Sequence, residues 1–239
     1  MLDNGYEQLK LPGADLLFYP DWLSAELANS LMNATLENIA WECHRIKIFG
    51  REVNSPRLSY WIGDAGASYV YSQTRFEPHA WLPELQAVRQ RLQNEFECQF
   101  NSVLANRYRS GQDSMGWHSD NEPELGKQPV IASISLGATR RFSFRARAES
   151  AKAVHLELSH GSLLLMRGDT QKNYRHALAK TSKPVGERIN LTYRNICSPG
   201  HAPSTRGLLA DLCPTLTLPR RWSTGEGIEH LFFRCHIRR

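Results

Sequence analysis

RRFSFRA (Arg140–Ala146), AVHLEL (Ala153–Leu158) and SLLLM (Ser162–Met166) follow one another along the chain, and their reading decides the fold. Each is a short run rich in apolar and aromatic residues, too brief for a helix and bounded by turn residues such as Gly161 and Gly168. Working outward, PVIASISL (Pro129–Leu136) runs into Gly137, VLANRYR (Val103–Arg109) is followed by Gly111, and ERINLTYR (Glu187–Arg194) is preceded by Gly186. Six such runs with no helical periodicity between them predict a β-sandwich or barrel, because parallel βαβ sheets need a crossover helix after each strand.

Helical periodicity is confined to the first hundred residues. From Ser24, a suitable N-cap, to about Asn38, the apolar residues Leu27, Leu31, Ala34 and Leu36 recur at helical spacing. From Pro83 to Phe96, Leu85, Val88, Leu92 and Phe96 share one face, and Pro83 suits the first turn. Between them, Ile46 to Tyr71 reads as short strands and loops. The predicted organisation is residues 1–100 as helices and a recognition lid, 101–196 as the β core, and 197–239 as an appended, flexible tail that opens on SPGHAPS.

At 239 residues and 41% apolar composition, the chain can bury one sizeable core. Five scattered cysteines without a CxxC pair exclude a disulfide framework and a cysteine-ligated zinc, and they fit reduced thiols in a cytosolic protein. The opening residues MLDNGYEQLK carry no apolar run of the kind a signal peptide needs, and no stretch is long and apolar enough to span a bilayer. The expectation is a cytoplasmic monomer without membrane contact. The formal charge of +5 points toward an anionic partner, nucleic acid first among them.

Two segments carry chemistry. GWHSD sets His118 and Asp120 two residues apart, so that in extended chain both side chains reach toward one ion. With a further histidine they would form a two-histidine, one-carboxylate set, which leaves coordination positions open on iron(II). In RINLTYR, Arg188, Asn190, Thr192 and Arg194 alternate with Ile189, Leu191 and Tyr193. That polar face is either solvated, as in an ordinary half-buried strand, or a cradle for a dicarboxylate, since guanidinium forks pair with carboxylate oxygens. Asn106 and Tyr108 offer further donors. His176 stands a dozen residues before the arginine strand.

The order N-x-Y, W-H-x-D, distal H and R-x-N-x-T-x-R resembles the AlkB family of nucleic-acid dealkylating dioxygenases. The surrounding text is similar too: SPRLSYWIGDAGASYVYS, NSVLANRYRSGQDSMGWHSDNEPELGKQPVIASISLGATRRFSFR and HGSLLLMRGDTQ. The resemblance implies a mainly β (α+β) fold, a double-stranded β-helix (jelly-roll, cupin-like) core with N-terminal helices packed outside. It implies His118, Asp120 and His176 as ligands of Fe(II), and Asn106, Tyr108, Arg188, Asn190, Thr192 and Arg194 as the 2-oxoglutarate pocket.

The implied activity uses O2 and 2-oxoglutarate to demethylate 1-methyladenine and 3-methylcytosine oxidatively in alkylated DNA, single- or double-stranded, and in RNA. Formaldehyde, succinate and CO2 are released. Tyr69 and Tyr71, with Trp61 nearby, become candidates for stacking on a flipped base. Asn121, where many members carry Asp, and Glu122 become base contacts. Phe49 and Gly50 sit in a triplet resembling a loop that wedges the base stack. Arg107, Arg109, Lys127, Arg140, Arg141, Arg145 and Arg147 are either phosphate contacts or a solvated barrel exterior. The competing readings are the same chemistry on a protein, lipid or small molecule, and a non-catalytic binding module of the same fold.

Overall fold

The computed structural model describes residues 5–48, 50–67, 69–71, 74–147 and 151–197, with 46–48, 69–71 and 74–76 described by backbone alone. Phe49 and the tail from 198 onward lie outside the described residues.

Before the β core the chain forms β1 (Glu7–Gln8), β2 (Asp15–Tyr19), α1 (Ala25–Asn38), β3 (Arg45–Ile48), β4 (Arg51–Asn54), β5 (Leu58–Gly63), β6 (Tyr69–Tyr71), β7 (Thr74–Phe76) and α2 (Pro83–Phe96). Then come β8 (Ser102–Tyr108), β9 (Met115–His118), β10 (Ile131–Gly137), β11 (Arg140–Ala146), β12 (Val154–Leu158), β13 (Leu163–Arg167), a single-turn α3 (Thr170–Asn173), β14 (Tyr174–Leu178) and β15 (Arg188–Arg194).

The two helices begin where the sequence predicts. Ser24 caps α1 by accepting from the Leu27 amide, and Pro83 opens α2. All six predicted strands form, within a residue or two at each end. The differences are β2 and β5, which join the barrel instead of staying outside it, and β9 and β14, which the six predicted runs do not include. β2 and β5 belong to a seven-stranded sheet in the order β1-β2-β13-β10-β15-β8-β5. A four-stranded sheet, β12-β11-β14-β9, stands opposite, and both are antiparallel throughout. This is the jelly-roll core that the family resemblance implies, and it agrees with the sandwich or barrel read from the strand pattern.

The burial pattern of β15 explains the layering. All seven of its residues are buried, which no half-exposed strand would show. Its Ile189, Leu191 and Tyr193 pack with Val103, Ala105, Ile134 and Leu136, and with Leu31 of α1 and Leu85, Val88 and Leu92 of α2. The helices therefore cover the outer face of the seven-stranded sheet, and the Tyr193 hydroxyl donates to the Leu85 carbonyl at 3.0 Å. Between the sheets a second cluster, Leu16, Phe18, Ile131, Phe144, Leu158, Leu164 and Met166, fills one part of the interior. Each fully buried aliphatic side chain there contributes about 1.5–3 kcal/mol.

Polar residues occupy the rest of the inter-sheet space. In the turn leaving β10, Gly137 has φ +83°, and a Cβ at that position would collide with the Glu187 carbonyl, so this turn requires glycine.

Candidate metal centre and anion cradle

The centre is assembled by strand register. His118 ends β9 and pairs directly with His176 of β14, which pairs in turn with Phe144 of β11. Residues opposite each other in an antiparallel ladder share a face, so both imidazoles and the Phe144 ring point between the sheets. Asp120 lies two residues past the end of β9. Its backbone amide donates to Gln171 Oε1 at 3.0 Å, and the Ser119 hydroxyl donates to the Tyr174 carbonyl at 2.7 Å. These bonds turn the carboxylate inward, where Asp120 is 4% exposed.

The three side chains form a group whose ligand atoms all lie within 4.8 Å of one another. His118 Nε2 is 3.1 Å from His176 Nε2 and 3.9 Å from Asp120 Oδ1, while His176 Nε2 is 4.0 Å from Asp120 Oδ2. The Gly116 carbonyl accepts a hydrogen bond from His118 Nδ1–H at 2.9 Å, which leaves Nε2 with its lone pair. Burial lowers the pKa of His118, and burial followed by the neighbouring His118 drives His176 down to about 3. Both rings are therefore neutral near pH 7, with two nitrogens facing each other at hydrogen-bond distance. For Asp120, burial pushes upward, but Arg194 and the two histidines outweigh it and hold the carboxyl at about 2. Two neutral nitrogen donors and one carboxylate, converging in a buried space, fit a divalent cation such as Fe(II).

Around this group stand three buried guanidiniums. Arg194 donates to Asp120 Oδ1 at 2.8 Å. Arg188, 2% exposed, donates to Ser135 Oγ at 2.9 Å and lies over the Tyr108 ring at 5.3 Å. Its Nε has no hydrogen-bond partner, and among the described residues no carboxylate pairs with it. Burial lowers its pKa to about 10, which leaves it a cation at neutral pH. Arg57 donates to Asn106 Oδ1 at 2.7 Å and to Ser55 Oγ at 3.3 Å. Among the described residues these three guanidiniums stand beside one nine-tenths-buried carboxylate of the centre, Asp120, and an isolated buried charge is costly. A dianionic ligand such as 2-oxoglutarate would balance this excess.

Each sequence-predicted cradle residue lies on the inner face of the large sheet, since Asn190 is opposite Asn106 and Arg188 opposite Tyr108. Of the two readings left open for RINLTYR, the solvated polar face is excluded by burial. Asn190 and Thr192 are already engaged. The Asn190 amide donates to Ser133 Oγ and the Ile134 carbonyl, and its oxygen accepts from the Thr192 hydroxyl.

Sequence reading missed Arg57, Ser133, Ser135 and Gln171. Ser133 and Ser135 do leave a signal, polar residues at every second position of PVIASISL. Arg57 and Gln171 lie outside any regular strand and leave none.

Two expectations are corrected. Trp61 is not a stacking wall, because it is buried against Ala67, Leu125 and Ile196, with its Nε1 donating to the Ala67 carbonyl. Arg140 is no phosphate contact, being 3% exposed and bonded to the carbonyls of Ser110, Asp113 and Ala179. Arg107, Arg109 and Arg141 pair with Glu187, Asp113 and Glu157 at the surface, which agrees with the solvated-exterior alternative.

The remaining candidates are dispersed. Tyr69 and Tyr71 lie on the β6–β7 hairpin, their side chains outside the described residues. Gly50 lies at the turn of the β3–β4 hairpin. Asn121 is exposed beside Asp120, and Glu122 is half-buried at the start of a single 3-10 turn, Pro123–Leu125.

Comparison with known proteins places this geometry in context. Residues 15–194 match the family model described as the 2OG-Fe(II) oxygenase superfamily. The chain is 35% identical over 212 residues to the alpha-ketoglutarate-dependent dioxygenase alkB homolog 3 of Rattus norvegicus, covering 84% of this chain and 68% of that protein. It is 34% identical to the Homo sapiens protein of the same name, covering 74% of this chain and 65% of that protein. To the DNA oxidative demethylase ALKBH2 of Bos taurus it is 40% identical, covering 64% of this chain and 57% of that protein. The chain thus spans roughly three-fifths to two-thirds of the length of these curated relatives. The solved structure of OsALKBH1 superposes with a TM-score of 0.57 at 17% identity, covering 80% of this chain and 99% of that one, a likeness of fold.

Proposed function

The chain belongs to the AlkB family within the 2OG-Fe(II) oxygenase superfamily, and from that premise we propose that it removes methyl groups oxidatively from alkylated nucleic acid, 1-methyladenine and 3-methylcytosine above all. The observation that supports this most is the convergence of His118, Asp120 and His176 within 4.8 Å, beside the buried Arg188, which among the described residues pairs with no carboxylate.

In this reading His118, Asp120 and His176 hold Fe(II). Arg194, tied to Asp120, and Arg188 with Tyr108 would pair with the carboxylates of 2-oxoglutarate. Asn106 has its oxygen taken by Arg57, which leaves its amide nitrogen to donate. Asn190 and Thr192 act one step back, bracing β15 against β10. When bound, Fe(II) with 2-oxoglutarate and O2 supplies the oxidising chemistry, which converts an N-methyl group to formaldehyde with release of succinate and CO2.

The chain's own contribution is to keep Asp120 ionised and both imidazoles neutral, to orient the co-substrate by charge, and to exclude water by burial. Methylation at the Watson–Crick edge makes both bases cationic, so an acceptor at the mouth favours them. Asn121 offers an uncharged one and Glu122 a carboxylate. Tyr69, Tyr71, Phe49 and Gly50 are proposed to form the wall and wedge that take the base out of its stack.

The test is a methylated oligonucleotide incubated with Fe(II), 2-oxoglutarate and ascorbate. Formaldehyde and the restored base should appear with wild type and not with His118→Ala. Turnover of 2-oxoglutarate that methylated nucleic acid never stimulates would instead favour a protein, lipid or small-molecule substrate.

A further inference from the structure

Successive residues on a strand point to opposite faces, so the residue preceding each histidine of the centre faces outward. These residues are Trp117 on β9 and Arg175 on β14. Arg145 of β11 lies directly opposite Arg175. Its guanidinium reaches across β14 to sit 4.3 Å from the centroid of the Trp117 ring. Arg147 donates to Ser119 Oγ at 2.9 Å, at the same end of the sheet. Trp117 is 38% exposed, and among the described residues only Val53 and Val154 are other large apolar side chains left so open.

This cluster differs from the other arginines that sequence reading singled out as phosphate contacts. Arg107, Arg109 and Arg141 have carboxylate partners, and Arg140 is saturated by carbonyls. Among the described residues no carboxylate pairs with Arg145, Arg147 or Arg175. Like charges directly opposite each other on neighbouring strands repel, so Arg145 beside Arg175 disfavours the empty surface unless an anion lies between them. A guanidinium pair matches phosphate oxygens in geometry, and an exposed indole already carrying a cation on one face offers a platform for a base. β9 is the edge strand, so the patch and the metal centre lie on opposite faces of one sheet margin.

Resting on the function proposed above, we infer that Trp117, Arg145, Arg147 and Arg175 bind the phosphodiester backbone of single-stranded nucleic acid next to the base held at the metal centre. The strand passes around the β9 edge, with two or more phosphates on the arginines and a flanking base on Trp117.

The experiment uses the full chain with Mn(II) and 2-oxoglutarate, and reads anisotropy of a labelled single-stranded oligodeoxynucleotide carrying one 3-methylcytosine, across a salt series. The double variant Arg145→Gln/Arg175→Gln is expected to bind about tenfold more weakly at low salt, with a log–log salt slope shallower by roughly 1.4, two contacts at ~0.7 each. Trp117→Ala should weaken binding with the slope kept, and Arg141→Gln, whose parent arginine is paired with Glu157, should match wild type. Thermal melting checks folding, and relief of repulsion should leave the double variant's Tm unchanged or raised. Arg175→Gln alone, expected to lose about half the slope change, gives the reading if the double variant unfolds. Wild-type affinity and slope in the arginine variants would overturn the inference and leave the proposed function standing. A wild-type protein that turns over 2-oxoglutarate but binds no oligonucleotide would overturn both. Displacement by polyglutamate at equal charge would overturn the nucleic-acid identity of the partner.

Discussion

Arg188 and Arg194 look equivalent in RINLTYR, six residues apart on one face of β15, yet their surroundings separate them. Arg194 is bonded to Asp120, so its loss removes both a co-substrate contact and the group that holds a metal-ligating carboxylate in place. Arg188 is bonded to the Ser135 hydroxyl and to Tyr108, over whose ring it lies, and among the described residues it pairs with no carboxylate. Replacing Arg188 by Gln is therefore expected to raise the KM for 2-oxoglutarate by about tenfold or more, the size of one charge-assisted carboxylate contact, with metal affinity unchanged. Arg194→Ala should weaken metal and co-substrate together. Titration calorimetry with Mn(II), then with 2-oxoglutarate, separates the two, and identical profiles would refute the assignment. Asp120→Ala should abolish metal binding and turnover alike.

At the scale of elements, the loop Ser110–Ser114 sets where β9 begins and hence where His118 ends up. Asp113 accepts from the Arg109 backbone and guanidinium, and Arg140 reaches from β11 to the carbonyls of Ser110, Asp113 and Ala179. Arg140→Ala would leave buried carbonyls unsatisfied, and a loss of about 2–4 kcal/mol in urea unfolding is expected. For Asp113, burial pushes its pKa upward, but the hydrogen bonds and charge of Arg109 outweigh it and the net shift is downward. A carboxyl lowered on folding stabilises above its unfolded pKa, ~3.9, and that contribution disappears as pH falls through the folded value. Wild type should therefore lose more stability than Asp113→Asn between pH 5 and 2. Parallel acid-unfolding curves would contradict this.

For the molecule as a whole, the metal and co-substrate close a gap that folding leaves open. Buried guanidiniums in excess of carboxylates, and two imidazole nitrogens facing each other, are features the folded chain tolerates and a bound ion and dianion relieve. Mn(II) and 2-oxoglutarate at about 100 times their dissociation constants should each add ~2.7 kcal/mol, together a rise of several degrees in Tm for a domain of this size. Chelation with EDTA should reverse the rise, and His176→Ala should show none.

Local patterns in the chain were enough to place six of the barrel strands and the two helices, and the resemblance to the AlkB family, carried by the order of the motifs, picked out the residues of the centre. Period-two and period-3.6 patterns report local backbone geometry, and H-x-D with a distal His and R-x-N-x-T-x-R carry ligand chemistry in their residue types. The tertiary structure decided what depends on partners distant in sequence. It buried both faces of β15, which turned an ambiguous polar stripe into a cradle. It drew β2 and β5 into the barrel, placed Arg57 and Gln171 behind the site, and sent Trp61 into the core. It also sorted the arginines into paired and unpaired, because a charge is neutralised only by whatever the fold brings within a few ångströms of it.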